Sequence, residues 1–249
     1  MFHHHAADPA PFRRTARRRL TREPHMCNQI TLKASVDEVA SHFKAQRKKQ
    51  TNASSGDVWK GGTGFIVREV ADERQLDAMV WGFPRHSTNK KTGKPNKPTH
   101  VNNARDDKLM SPYNMWREWF VQPGQRCLIP ITAFAEAVGP EGQMTRTWIS
   151  IADQPLAACA GFWRPTDEWG DSYTMVMVDA VPKMLEVHDR MPVILHPEDH
   201  EAWLHAPAEE AMKLVTQYPA DRLVVDHTPE LWYAGRTRKD PAPTAATLL

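Results

Sequence analysis

Short apolar stretches separated by turn-forming residues recur along most of the chain. Runs of about four to eight residues that are rich in Val, Ile, Trp or Met and bounded by Gly, Pro, Asn or Asp are typical of β-strands. On this pattern we predict strands over 27–32, 64–70, 76–82, 126–130, 146–151, 157–163 and 173–179.

Fewer segments show the spacing of an amphipathic helix. Ser35 and Glu38 form a capping box ahead of apolar residues at helical spacing, which predicts a helix over 36–46. Many strands with few, non-alternating helices indicate an α+β fold that is mainly β. Further short helices are predicted over 112–120, 197–205 and 208–217; polar loops are predicted over 47–57 and 86–98, the second long and mobile.

Composition fits one globular domain, which we place at residues 27–235. The chain has 249 residues, 41% of them hydrophobic and 25% charged, enough to bury a core without disulfides or a metal. Its three cysteines indicate a reducing compartment, and Cys127 and Cys159 lie in apolar runs typical of the core. We find no secretory signal and no apolar run of the roughly 18 residues that a membrane span needs.

Charge is distributed unevenly. Residues 1–26 hold six Arg against two acids, which leaves 26 bases and 28 acids in residues 27–249. We interpret residues 1–26 as a disordered leader, a tag or a mis-annotated start, and residues 236–249 as a disordered tail. Because the domain itself is not basic, any nucleic-acid site must be a local patch.

Motifs for common cofactors are missing from the sequence. There is no Walker motif, no Gly-x-Gly-x-x-Gly, no Cys-x-x-Cys and no His-Glu-x-x-His. We therefore predict no cofactor and no metal site.

Cys27 lies at the edge of the predicted domain. If it were the first residue of a mature chain, its thiol and α-amine would lie two carbons apart, and the amine has an ordinary pKa of roughly 7.7–8. Such a pair can take an aldehyde, first as an imine and then as a five-membered thiazolidine ring. An ordinary buried strand cysteine is the alternative interpretation.

Three further segments place polar residues within apolar sequence. Asn103 and Arg105 lie two apart on an extended segment and so point to one side, where Arg suits a phosphate. Glu136 follows ten residues with almost no charge, and burial would raise its pKa toward that of a general acid or base. His188 precedes Pro192 and an apolar strand, and can titrate near neutral pH. Each residue also has a purely structural interpretation.

Taken together, these segments resemble the SRAP family of abasic-site processing proteins. The matching pieces occur in the family's order and span residues 26 to about 205. They are Met26-Cys27-Asn28, Trp81-Gly82-Phe83-Pro84, Asn103-Ala104-Arg105, Arg126 to Pro130 followed by Glu136, Ala160-Gly161-Phe162-Trp163, and His188 to Leu195.

The resemblance implies a mostly β open barrel of antiparallel strands and a covalent link between Cys27 and abasic sites in single-stranded DNA. It implies that Asn103 positions the abasic sugar, that Glu136 moves protons and that His188 assists ring opening. Autopeptidase activity that exposes Cys27 is also implied. We further expect a monomer without a membrane partner, cytoplasmic and nucleoid-associated in a bacterium or phage. The DNA-contacting residues implied are Arg105, Arg190, Trp81 and Pro84.

Several positions depart from the family pattern. Asn28-Gln29 replaces the usual Gly-Arg, and Ala137 replaces a Trp that many members have after the glutamate. Asp106-Asp107-Lys108 replaces a common Glu-Thr pair. We expect the chemistry to survive and DNA binding to be modest and salt-sensitive.

Two other functions fit parts of the pattern. One is a cysteine amidase or peptidase with an N-terminal nucleophile, in which Cys27 acts with Glu136 or His188 on amides. The other is a non-catalytic single-strand binding module that uses Arg and Trp. A denaturation-resistant adduct with abasic DNA separates the first from an abasic-site processing protein. Indifference to replacement of Cys27 identifies the second.

Overall fold

Strands make up most of the regular structure in residues 27–48, 51 and 53–233, the part of the chain that the computed structural model describes. The mainly β, α+β prediction is confirmed. The strands are β1 Gln29–Leu32, β2 Gly56–Trp59, β3 Thr63–Val70, β4 Glu73–Trp81, β5 Phe83–Arg85, β6 Thr99–Val101, β7 Asn103–Arg105, β8 Arg126–Ile131, β9 Ala133–Val138, β10 Thr145–Ile151, β11 Ala157–Arg164, β12 Ser172–Asp179, β13 Arg190–Pro192, β14 Ile194–Leu195 and β15 Leu223–Leu231. The helices are α1 Val36–His42, α2 Arg117–Phe120, α3 His200–His205 and α4 Ala208–Lys213.

Five strands of the larger sheet are paired in a ring. β12 pairs with β4, β4 with β3, β3 with β8, β8 with β11, and β11 pairs again with β12. Most pairings are antiparallel, as expected, but β12 runs parallel to β4 and to β7. At Met177, β12 lies between β7 on one side and β13 on the other.

The second sheet carries the beginning of the domain. Its order is β15-β10-β9-β1-β2, with every neighbour antiparallel. The main core lies between this sheet and the ring, and Ile30, Ile66, Leu128, Phe134 and Phe162 are all buried in it. β8 is buried at every position, which explains why its sequence after Arg126 is apolar and does not alternate.

All seven predicted strands are present, whereas the helices are shorter than predicted. α1 has the predicted capping box but ends at His42, because Lys44 adopts a left-handed backbone with φ of 51°. The segment 86–98 was predicted as a mobile loop, but it connects β5 and β6 as a hydrogen-bonded hairpin. The predicted leader 1–26 and tail 236–249 lie outside the described residues.

Buried Arg126, at the start of β8, attaches the helices to the ring. Its guanidinium donates to the carbonyls of Phe120, Trp203 and Ala206, which are at or next to the C-terminal ends of α2 and α3. Burial lowers the pKa of Arg126 to about 10, so the side chain stays charged at neutral pH. Among the described residues, no helix is both long and apolar enough to cross a lipid bilayer.

The ring leaves no room for a side chain at Gly161 of β11. A Cβ there would lie 2.6 Å from Ile129 Cδ1 and 2.9 Å from the Thr174 carbonyl oxygen of β12. We predict that Gly161→Ala lowers the free energy of unfolding by roughly 1–3 kcal/mol, because the clash is partly with backbone. Urea denaturation followed by Trp fluorescence measures this. Gly124→Ala, where a Cβ meets nothing within 4 Å, is the control, and equal losses in both variants would contradict the packing described.

Candidate functional site

The two sheets are joined at the backbone of Cys27, two residues before the start of β1. Its carbonyl oxygen accepts a hydrogen bond from Asn102 Nδ2 at 2.9 Å and another from Asn103 Nδ2 at 2.7 Å. Both asparagine side chains are buried, and they belong to the segment that enters β7 of the larger sheet. The two bonds therefore join the segment before β1 of the smaller sheet to the segment that enters β7 of the larger one.

The side chains of the adjacent residues Asn102 and Asn103 can reach the same oxygen because the extended strand conformation is interrupted at Asn102. Asn102 lies between β6 and β7, so the alternation of sides along a strand does not apply to it. The Trp81 indole N–H donates to the Asn102 carbonyl at 3.0 Å and fixes this break.

Trp81 supports the site from inside the core. It is fully buried and stacked on Tyr173, with ring centroids 6.3 Å apart. This placement contradicts the expected direct contact between Trp81 and DNA, since no face of the ring is exposed. Pro84 is buried as well, and only its edge lines a cleft next to β5.

Glu136 comes to Cys27 through the pairing of β9 with β1. Gln29 lies opposite Ala135, so Glu136 is one residue beyond that pair. Because sides alternate along a strand, Glu136 shares the face of Phe134, which points into the main core. The carboxyl is 1% exposed, and its Oε1 has no hydrogen-bond partner among the described residues. Burial, and then the nearby charge of Asp189, raises the pKa of Glu136 well above its usual range.

The Cys27 thiol is equally enclosed. It is fully buried, and its Sγ donates to the Gln29 carbonyl at 3.5 Å. Burial raises the pKa of the thiol well above its ordinary value, and the negative charge of Glu136 adds to this. The site thus pairs a thiol and a carboxyl whose pKa values are both raised, in each case chiefly by burial.

His188 occupies the turn before β13. Its side chain is 13% exposed, and Nδ1 accepts a hydrogen bond from the Arg190 backbone N–H at 2.9 Å. In the neutral ring this contact places the proton on Nε2. The charge of Asp189, the next residue, adds to the raised pKa of Glu136, which relates this turn electrostatically to the buried carboxyl.

The two arginines predicted to bind DNA differ in accessibility. Arg190 is 7% exposed, and its guanidinium lies 2.8 Å from an oxygen of Asp106 and 3.3 Å from one of Asp179. Arg105 is exposed, although its Nε lies 3.1 Å from an Asp107 oxygen. Arg105 is therefore accessible to an external phosphate, whereas Arg190 is buried and its charge is balanced by two carboxylates.

Sequence reasoning missed two members of the site. Asn102 was given no role, and the break between β6 and β7 was not visible in the sequence. Asp189 was included only as part of the matching piece His188 to Leu195. A second asparagine next to Asn103 was the one signal that could have identified the pair.

One group of potential metal ligands lies elsewhere. Donor atoms of Glu69, Glu201 and His205 lie within 4.8 Å of one another, and two of the three residues are exposed. Arg74 donates to both glutamates and supplies a positive charge in the same place. This arrangement accounts for the two carboxylates without a metal ion.

Together, the fold and the site define a mainly β protein with a cysteine at the start of its first strand and a buried carboxyl beside it. The sequence profile described as SOS response associated peptidase (SRAP) matches residues 26–229. The chain therefore belongs to the SRAP family, as the resemblance predicted.

Named relatives and solved structures agree with this assignment. Abasic site processing protein YoqW of Bacillus subtilis is 26% identical over 209 residues, covering 79% of this chain and 89% of the relative. Abasic site processing protein YobE of the same organism is 26% identical over 211 residues, covering 79% and 91%. A Bordetella bronchiseptica crystal structure has a TM-score of 0.66 at 27% identity, covering 81% of this chain and 99% of its own. A Bacteroides thetaiotaomicron structure, at 19% identity and a TM-score of 0.65, shares the fold.

The raised pKa of Glu136 predicts how stability depends on pH. The folded protein binds this proton more tightly than the unfolded chain, whose glutamates titrate near ~4.3. The stabilisation of the folded state by this proton is fully present below the unfolded-state pKa of ~4.3. It is lost as the pH rises through the pKa of Glu136 in the folded protein. We predict that Glu136→Gln, which cannot ionise, gains stability relative to the wild type between pH 5 and 9.

Urea denaturation at pH 5, 7 and 9 measures this difference. Glu38→Gln is the matched control, because its hydrogen bonds with Ser35 lower the pKa of Glu38. The free energy of unfolding of Glu38→Gln should differ from that of the wild type by the same amount at all three pH values. An equally constant difference for Glu136→Gln would show that Glu136 is ionised in the folded protein.

Proposed function

We propose that this protein processes abasic sites in single-stranded DNA by forming a covalent thiazolidine link between Cys27 and the ring-opened sugar aldehyde. The observation that carries the proposal is the enclosure of Cys27. Two asparagine amides hold its carbonyl, and the buried carboxyl of Glu136, whose own pKa is raised, acts electrostatically on its thiol. Family membership and the names of the Bacillus subtilis relatives support the same substrate.

The reaction requires a free α-amine on Cys27. In the full sequence that nitrogen is an amide, because 26 residues precede it. Hydrolysis of the Met26–Cys27 bond by an autopeptidase activity consumes one water and frees the amine. Translation from Met26 followed by removal of the methionine gives the same end group. The family profile begins its match at Met26, which fits either route.

The link then forms in two steps that together release one water. The amine attacks the aldehyde carbon, and loss of water leaves a C=N bond. The nitrogen of this C=N bond keeps its proton as an iminium. The thiol sulfur next bonds to the iminium carbon, the C=N electron pair returns to the nitrogen and the thiol loses its proton, which closes the five-membered ring. A protonated Glu136 can give its proton to the departing hydroxyl, and the carboxylate that remains can take the thiol proton as the ring closes.

The other site residues have roles that follow from their contacts. The Asn103 side-chain N–H donates to the Cys27 carbonyl. Its Oδ1 has no hydrogen-bond partner among the described residues and can accept a hydrogen bond from a sugar hydroxyl. His188 presents a half-buried imidazole that assists ring opening of the sugar and the reverse reaction. Arg105 holds a neighbouring phosphate. Arg190 steadies the turn that carries His188 through its bonds to Asp106 and Asp179.

A denaturing gel tests the proposal. Protein beginning at Cys27 is mixed with a single strand that contains one abasic site, and we expect a shifted band that survives denaturation. Cys27→Ala should abolish the band, and Cys159→Ala, which removes another buried thiol, should keep it. The absence of a band with the wild type, or an equal band with Cys27→Ala, would refute the proposal. An identical intact strand is the substrate control.

Glu136 also gives the rate of linkage a characteristic pH dependence. The rate should rise with pH as the α-amine loses its proton near ~7.7–8, and fall again where Glu136 loses its own proton. Initial rates of adduct formation between pH 5 and 10 measure both limbs. We predict that Glu136→Gln is roughly 10²–10⁴-fold slower and lacks the descending limb. A descending limb that persists in Glu136→Gln would assign that proton to another group.

A further inference from the structure

The hairpin formed by β5, β6 and their connection carries the most one-sided charge of the domain. This basic hairpin, residues 83–101, contains five Lys or Arg and no Asp or Glu. Residues 27–249 as a whole contain 26 bases and 28 acids, so the positive charge is concentrated in one place. Its basic residues are all exposed, and they are Arg85, Lys90, Lys91, Lys94 and Lys97.

The backbone of the basic hairpin, which carries these charges, is paired along both arms. Phe83 pairs with Val101 at its base, and a further bridge joins Thr88 to Pro95 near its tip. The Asn89 side chain closes the turn by accepting from the backbone N–H groups of Lys91 and Thr92 at 2.9 and 3.2 Å. The charges are thus presented by an ordered element.

The base of the basic hairpin is continuous with the candidate site. The basic hairpin begins shortly after Trp81 and ends just before Asn102. The Trp81 indole N–H donates a hydrogen bond to the Asn102 carbonyl. Asn102 in turn holds the Cys27 carbonyl. On the outer side, His86 lies 2.7 Å from a Glu168 oxygen, and a cleft of about 280 Å³ lies between these segments. A strand of DNA that leaves Cys27 therefore starts at the base of this element.

The lysines of the basic hairpin differ from the arginines nearer the site in having no partner of opposite charge. Arg105 and Arg190 lie against carboxylates. By contrast, Lys90, Lys91, Lys94 and Lys97 form no ion pair with any described residue. Binding an external anion there breaks no internal ion pair, so its full electrostatic gain is available.

We propose that the basic hairpin binds the phosphate backbone of the DNA that flanks the abasic site, and so favours substrates with a long flank. This inference rests on the proposed function of Cys27. Each arm, from 83 to 89 and from 95 to 101, spans seven residues and therefore roughly 23 Å at ~3.3 Å per residue. At ~3.4 Å per nucleotide along a duplex strand, this corresponds to about seven nucleotides.

Fluorescence anisotropy of labelled oligonucleotides tests the hairpin. The full chain is used throughout, so that the arginines of residues 1–26 are present in every variant. The probes carry a tetrahydrofuran analogue of the abasic site, which lacks the aldehyde and reports binding alone. They are a 5-nucleotide strand, a 30-nucleotide strand and the 30-nucleotide strand with one flank made double-stranded. The variant is Lys90→Gln/Lys91→Gln/Lys94→Gln, and its control is Lys33→Gln/Lys48→Gln/Lys213→Gln.

We expect the hairpin variant to bind the 30-nucleotide probes about tenfold or more weakly at 0.1 M salt, while its affinity for the 5-nucleotide probe is unchanged. The slope of log affinity against log salt concentration should be smaller in magnitude by about 2. Each of the three lost phosphate contacts contributes ~0.7 to this slope on a single strand. A larger loss on the half-duplex probe than on the single strand would assign the contact to a duplex flank. Replacement of the same lysines by Arg should preserve binding, which separates charge from folding.

Wild-type affinity of the hairpin variant for the long probes, or an equal loss in the control, would overturn the inference. The gel assay with reactive abasic DNA separates this failure from failure of the proposed function. If the hairpin variant binds normally and Cys27 still forms the adduct, only the hairpin inference is wrong. If no adduct forms while the lysines still govern binding of long probes, the proposed chemistry is wrong and the DNA-binding surface stands.

Discussion

The site depends on the two hydrogen bonds that Asn102 and Asn103 donate to the Cys27 carbonyl oxygen. A buried carbonyl has two lone pairs, and these contacts use both. They fix the residue at the start of β1 against the entry to β7, which also fixes how the two sheets meet. Glu136 arrives from one sheet, and the turn with His188 arrives from the other beside β12. Without this junction, the separate segments would not form one site.

Burial sets the chemical character of the site. A carboxyl in the core whose Oε1 has no hydrogen-bond partner among the described residues is costly to ionise, so the pKa of Glu136 is raised. The same enclosure keeps the Cys27 thiol protonated. A protonated thiol is a poor nucleophile by itself, which favours a mechanism in which the α-amine reacts first and the sulfur follows. Appearance of an α-ammonium group next to the thiol would lower the thiol pKa.

Much of the fold could be predicted from local pattern, and the misses have physical causes. All five strands of the ring were predicted, and β8, β11 and β12 are largely apolar because nearly all of their residues are buried. β15 was missed because it lies at the edge of its sheet and is largely exposed, so its sequence is polar and contains Pro229. The basic hairpin was interpreted as a loop because Lys, Asn and Pro dominate it, and its order comes from side-chain contacts of Asn89 that composition does not reveal.

The candidate site was predictable in part. Glu136 could be found because a single carboxylate within an apolar run has to be buried, and the structure buries it. Trp81 was assigned to the DNA surface by resemblance, but it is a core residue that reaches the site through the Asn102 carbonyl. Proximity of Cys27, Glu136 and the His188 turn depends on how two sheets meet across distant parts of the sequence, which no local pattern encodes.

The central claim is that both the nitrogen and the sulfur of Cys27 bond to one sugar carbon. Tandem mass spectrometry of the crosslinked protein, after digestion with trypsin and a nuclease, tests it directly. We predict that the peptide of residues 27–33 carries the sugar remnant with loss of one water, and that neither its α-amine nor its thiol can be alkylated. A remnant on a lysine or on another cysteine, or a Cys27 peptide whose amine or thiol still reacts, would contradict the account.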